Sequence, residues 1–178
     1  MRRSLFAAFL LCAPIVAASA QSAPVTIFVV RHAEKGPENP DPALTAAGER
    51  RAGALARTLT GAGVTALFAT EFKRTQGTIA PLAAALQLTP TIIPARETDR
   101  LVAALKALPA GSRAVVASHS NLVHLIVERV SGVKVPELTD ADYDRLVVVT
   151  LGADGRGQAV VLRYGEASEA AAAGMAKP

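Results

Sequence analysis

Two kinds of apolar stretch alternate along this chain. Short, nearly continuous runs of aliphatic and β-branched residues fall at 25–30 (VTIFVV), 64–70 (VTALFAT), 89–94 (TPTIIP) and 113–118 (RAVVAS). Runs of that length bounded by turn residues predict strands buried on both faces. Between them, apolar positions recur at helical spacing. One helix is predicted from the cap Thr45 to Leu59, ended by Gly61 and Gly63, and a second over 75–88 with Pro81 inside it. A third runs over 97–108 through Leu101, Ala104, Leu105 and Leu108, and a fourth over 122–130, closed by Gly132. Two last strands, 146–151 and 158–164, flank Asp154-Gly155 and predict a hairpin. Strand and helix in alternation predict an α/β sandwich around a mainly parallel sheet.

The two ends break this pattern. Met1-Arg2-Arg3, an apolar stretch over 4–16 and Ala18-Ser19-Ala20 have the layout of a secretory signal peptide over 1–20. Its apolar stretch is shorter than the ~20 residues a membrane span needs. The expectation is an exported protein, periplasmic or secreted, with no stable membrane insertion after cleavage. The working domain is then 21–165, and 166–178, Ala-rich and without apolar bulk, is predicted to be a disordered tail. Cleavage after Ala20 removes Cys12, the single cysteine, so disulfides and thiol chemistry are excluded from the mature chain. It also removes Arg2 and Arg3, halving the formal charge of +4. With two Tyr, no Trp and no basic cluster, nucleic acid is not an expected partner. Nothing in the pattern specifies an oligomer.

Candidate chemistry collects just past the carboxyl ends of predicted strands, where open α/β sheets bind ligands. Arg31 and His32 follow the first strand, Arg74 the second and His119 the fourth. Two guanidinium groups can grip phosphate oxygens through paired donors. One imidazole can take the phosphoryl group and the other can stabilise its charge, which is most of what phosphoryl transfer asks of a protein. Nearby residues have plainer readings. Glu34 and Lys35 suit an exposed ion pair, Asn121 a helix cap, and His124 with Glu128 a solvated stripe. Tyr143 fits either packing or the pocket mouth. A metal site of His32, His119, His124 and Glu34 is disfavoured, because 119 and 124 are five apart rather than the four that share a helix face.

Arg31-His32-Ala33-Glu34, Leu44-Thr45-Ala46-Ala47-Gly48, Arg74-Thr75-Gln76-Gly77-Thr78 and Ser118-His119-Ser120 together resemble the histidine phosphatase superfamily, the phosphoglycerate mutase-like proteins. The resemblance implies a three-layer α/β/α sandwich in which the first and fourth strands are neighbours. It implies that His32 becomes phosphohistidine, that Arg31, Arg74 and His119 complete the phosphate pocket, and that neither metal nor cofactor is needed. The substrate would be a small phosphorylated molecule or a phosphoprotein. Three departures stand out: Ala33 and Ser118 replace glycines, and the insertion that carries a proton donor in many members is minimal. That leaves Glu97 and Asp99, with Glu97 the expected donor. The rival expectations are a phosphate-binding module without turnover and a mutase, the latter disfavoured by export and by the missing insertion.

Overall fold

The computed structural model describes residues 22–38 and 40–168; the signal-peptide segment 1–20 lies outside them. One six-stranded sheet forms the middle layer. Its strands are β1 (Val25–Arg31), β2 (Ala66–Ala69), β3 (Thr91–Ile92), β4 (Arg113–Ser118), β5 (Arg145–Leu151) and β6 (Gly157–Arg163), in the order β3-β2-β4-β1-β5-β6. β1 to β4 run parallel and the β5–β6 hairpin adds two antiparallel-paired strands beside β1. The first and fourth strands are neighbours, with Arg31 opposite Ser118. This is the α/β/α sandwich expected.

Alternation along the strands builds the three layers, since successive side chains leave opposite faces. Ile27, Val29, Ala114 and Val116 pack on one face against α3 (Thr98–Lys106) and α4 (Ser120–Ser131). Val30, Val115, Ala117 and Leu67 pack on the other against α1 (Ala46–Leu59) and α2 (Lys73–Leu86). Thr45 caps α1 as expected, its hydroxyl accepting from the Gly48 amide at 3.2 Å. A Cβ at Gly48 would collide with the Glu34 carbonyl, so α1 can approach the β1 exit only with glycine there.

The structure differs from the sequence reading at three places. The third strand is two residues long instead of 89–94, because Pro90 and Pro94 bracket it and neither can donate to a ladder. α2 begins at Lys73, not Thr75, because the Asp41 carboxylate accepts from the Lys73 amide at 2.9 Å, a cap borrowed from a distant loop. Pro81 lies inside α2 as expected. Packing also runs three residues past the boundary drawn at 165. Ser168 is buried, and its hydroxyl donates to Asp144 at 2.6 Å.

Candidate active site

All four strand-end residues line one open cavity of about 540 Å³ on the carboxyl edge of β1, β2 and β4. A larger depression of about 770 Å³, between α1 and Gly165–Glu166, contains neither imidazole. The β1–β4 ladder continues one bond beyond the strands, with the His32 amide donating to the Ser118 carbonyl at 2.8 Å. That pairing brings the His32 and His119 rings to 5.5 Å between centroids.

His32 is 4 % exposed, and its Nδ1 lies 2.8 Å from the Ala33 carbonyl oxygen. A carbonyl only accepts, so Nδ1 carries the proton and Nε2 presents a lone pair. Burial pushes the His32 pKa down to about 3; the bond to Ala33 opposes this, and Arg31, His119 and Arg74 add to it. At neutral pH this ring is uncharged, with its lone pair on Nε2. Its neighbour Ala33 is fixed in turn. The Ala33 amide donates to Thr78 Oγ at 2.8 Å, and Thr78 donates to the Arg74 carbonyl at 2.7 Å, tying the β1 exit to α2. Burial, then Arg74, also lowers the His119 pKa to about 4, partly opposed by Glu71.

Both terminal nitrogens of the Arg31 guanidinium are engaged, Nη2 by the Tyr143 hydroxyl at 3.4 Å and the Asp140 carboxylate at 3.7 Å. Its Nη1 donates to the carbonyls of Thr139 (2.9 Å), Asp140 (2.9 Å) and Asp142 (3.2 Å), and its Cζ stacks 4.1 Å from the Tyr143 ring centroid. Arg74 stacks on Phe72 at 4.2 Å, with the Asp41 carboxylate at 3.9 Å. Each arginine keeps a buried Nε–H with no hydrogen-bond partner. Buried unpaired donors are rare and costly, and two on arginines of one cavity suit an anion.

Glu97 is not brought into this set. It pairs with Arg100 at 2.9 Å and Arg96 at 3.7 Å, and does not line the cavity. Asp99 pairs with Arg129 and is exposed. Both sit where the 3₁₀ turn Ala95–Glu97 leads into α3 and their carboxylates are taken by helix arginines. Among the described residues the carboxylate that does line the cavity is Asp140, 3.7 Å from Arg31.

Three plainer readings are corrected as well. Glu34 does not pair with Lys35; it takes Arg51 at 2.7–3.0 Å, and Arg51 is buried. Asn121 lies in the first turn of α4, whose cap position is His119, and so caps nothing. His124 is half-buried, with Nδ1 shielded from water. Tyr143, left open by sequence, belongs to the site: it stacks on Arg31 and its ring is 6.2 Å from that of His32. Sequence reading missed Asp140, Thr70 and Thr75. The one available signal was that the second apolar run ends in the polar Thr70.

A neutral buried imidazole flanked by two guanidinium groups, at the carboxyl edge of a parallel sheet, defines an α/β domain suited to binding a tetrahedral oxyanion. A sequence model of the histidine phosphatase superfamily (branch 1) matches residues 27–101. The fold is shared with the protein histidine phosphatase SixA complexed with tungstate: 21 % identity, TM-score 0.64, 78 % of this chain and 96 % of that one. An α-ribazole phosphatase from Shigella flexneri is 15 % identical, with TM-score 0.62 over 78 % and 96 %. A mycobacterial glucosyl-3-phosphoglycerate phosphatase is 12 % identical, with TM-score 0.63 over 79 % and 99 %. Comparison with curated protein sequences gives no match. Over residues 27–101 the chain is similar to the histidine phosphatase superfamily, and it shares the fold of these solved phosphatases.

Proposed function

We propose that this protein is an exported, metal-independent phosphatase that works through a phosphohistidine on His32. The observation that carries the reading is the pair of unpartnered Nε–H groups of Arg31 and Arg74 in the cavity that holds both imidazoles. An oxyanion held by those donors shares the cavity with His32, whose Nε2 carries the lone pair. Attack by Nε2 on phosphorus breaks the bond to the leaving group, which departs with its electron pair. Water then attacks the phosphohistidine, the P–N bond breaks, and the pair returns to Nε2 as inorganic phosphate forms. Arg31, Arg74 and His119 balance the charge on the equatorial oxygens throughout.

Leaving-group chemistry narrows the substrate. Glu97 is tied to Arg100, and Asp140, the carboxylate at the cavity, is exposed and makes only a 3.7 Å contact with Arg31. Among the described residues, then, no carboxylate is buried and aimed as an acid at the leaving-group side. Aryl phosphates and phosphoramidates such as phosphohistidine depend least on such an acid, and SixA, which shares the fold, is a protein histidine phosphatase. The direct test is turnover of an aryl phosphate and a phosphoramidate by wild type and His32→Ala. Loss of ~10³-fold or more in the variant is expected for removal of a nucleophile; undiminished activity rejects the assignment. The displaced Glu97 also favours a second reading, a binding module, which phosphate binding without turnover of either substrate would establish.

A further inference from the structure

Thr70 stands between His119 and Thr75 at the end of β2, and all three side chains are buried. Thr70 Oγ lies 3.1 Å from His119 Nε2 and 2.8 Å from Thr75 Oγ. Thr75 Oγ lies in turn 2.8 Å from the Phe72 carbonyl oxygen and 3.1 Å from the Thr70 carbonyl oxygen. Carbonyls only accept, so Thr75 spends its single hydroxyl proton on them. Thr75 Oγ then accepts from Thr70, whose proton is thereby used. Thr70 Oγ is left to accept from His119, which places a proton on Nε2. Running the chain the other way sets Thr75 Oγ against the Phe72 oxygen at 2.8 Å with no proton between them, in a place closed to water.

The two rings are therefore opposite tautomers: His32 holds its proton on Nδ1 and His119 on Nε2. Among the described residues His119 Nδ1 has no hydrogen-bond partner, and the residue lines the cavity. We propose that Thr70 and Thr75 are positioning residues that lock His119 as the Nε2–H tautomer, so that this ring binds a phosphoryl dianion only by taking up a proton at Nδ1. The inference rests on the phosphate-pocket reading above. The groups around the ring fit it. Arg74 of α2 and Arg31 of β1 favour the neutral form while the cavity is empty, Glu71 in the β2–α2 turn opposes them, and the Phe72 and His32 rings pack edge-on at 5.3 and 5.5 Å. A dianion between the arginines reverses that balance. The proton comes from solvent, or travels with the ligand when the monoanion binds, and Nδ1–H then donates to a phosphoryl oxygen. His32 keeps its Nε2 lone pair for attack, because its own proton stays on Nδ1, which donates to the Ala33 carbonyl.

The test is calorimetry of inorganic phosphate binding to the full chain, in buffers of different ionisation enthalpy, above the second ionisation of phosphate. Wild type and Thr70→Ser are expected to take up one proton per phosphate bound. Thr70→Val frees the ring to adopt the Nδ1–H tautomer and donate without uptake, so its proton uptake is expected to vanish while binding persists. Wild type binding with no uptake, or Thr70→Val with undiminished uptake, overturns the inference. Wild type that binds no phosphate at all overturns the pocket reading beneath it. A ring ¹⁵N spectrum of unliganded wild type at neutral pH stands independently of whether Thr70→Val folds. It should show His119 protonated at Nε2, and protonation at Nδ1 overturns the inference.

Discussion

Arg31 shows why a residue type alone under-describes a site. A buried cation needs partners, and Arg31 has three backbone carbonyls from 139–142 together with the Tyr143 ring. With the Tyr143 hydroxyl and Asp140 on Nη2, these partners engage both terminal nitrogens and leave Nε without one. A lysine has neither the planar fork nor the stacking face. Arg31→Lys is therefore expected to lower kcat on an aryl phosphate by about 10²–10³, the usual loss for one preorganised donor, with steady-state kinetics as the measurement. Asp140→Asn should act in the opposite sense on binding. It removes a negative charge 3.7 Å from Arg31, so inhibition by inorganic phosphate should strengthen a few-fold. Weaker inhibition would mean that the carboxylate serves mainly to place Arg31.

At the scale of elements, α1 and α2 are what the β1 exit leans on. Glu34 takes Arg51 of α1 through both carboxylate oxygens, and Arg51 also donates to the carbonyls of Tyr164 and Glu166. Glu34→Ala strands a guanidinium that is 4 % exposed, and is expected to cost about 3 kcal/mol in denaturant unfolding. Thr45→Ala removes only a cap and should cost about 1 kcal/mol. If the order of the two is reversed, Arg51 is well solvated after all. This contrast also marks what sequence could disclose. The Thr45 cap and the α1 periodicity are local, and both were legible. The Arg51 pair, the Asp41 cap on α2 and the Thr78 tie to Ala33 join residues 17, 32 and 45 positions apart, and no local pattern announces them. The parallel strand ends put Arg31, His32, Arg74 and His119 together in advance. Glu97 was misplaced because the path of a loop, not its position in the chain, decides where a carboxylate points.

The whole molecule carries the site's charge state into its stability. His32 and His119 have pKa values lowered from 6.5 to about 3 and about 4 in the folded chain. As pH falls below about 6.5 the unfolded chain takes up protons at these rings and the folded chain does not, so stability drops. The loss accumulates down to about pH 4 for His119 and about pH 3 for His32. Asp144 adds a later loss of the same sign. Burial pushes its pKa up, but Ser168 and Arg163 more than offset that, so the stability it contributes disappears as pH falls through its lowered value. The melting temperature is expected to decline from about pH 6.5 downward, and less steeply in a His32→Ala/His119→Ala double variant. Equal slopes would show that the two rings are not held neutral in the folded state. In the proposed reaction His32 Nε2 receives the phosphoryl group. Rapid quenching of wild type with an aryl phosphate, followed by peptide mass analysis under alkaline conditions, tests it most directly. One acid-labile phosphoryl group is expected, on His32, forming as the phenol is released. Steady phenol release with no phosphorylated protein, or a phosphoryl group on another residue, would contradict it.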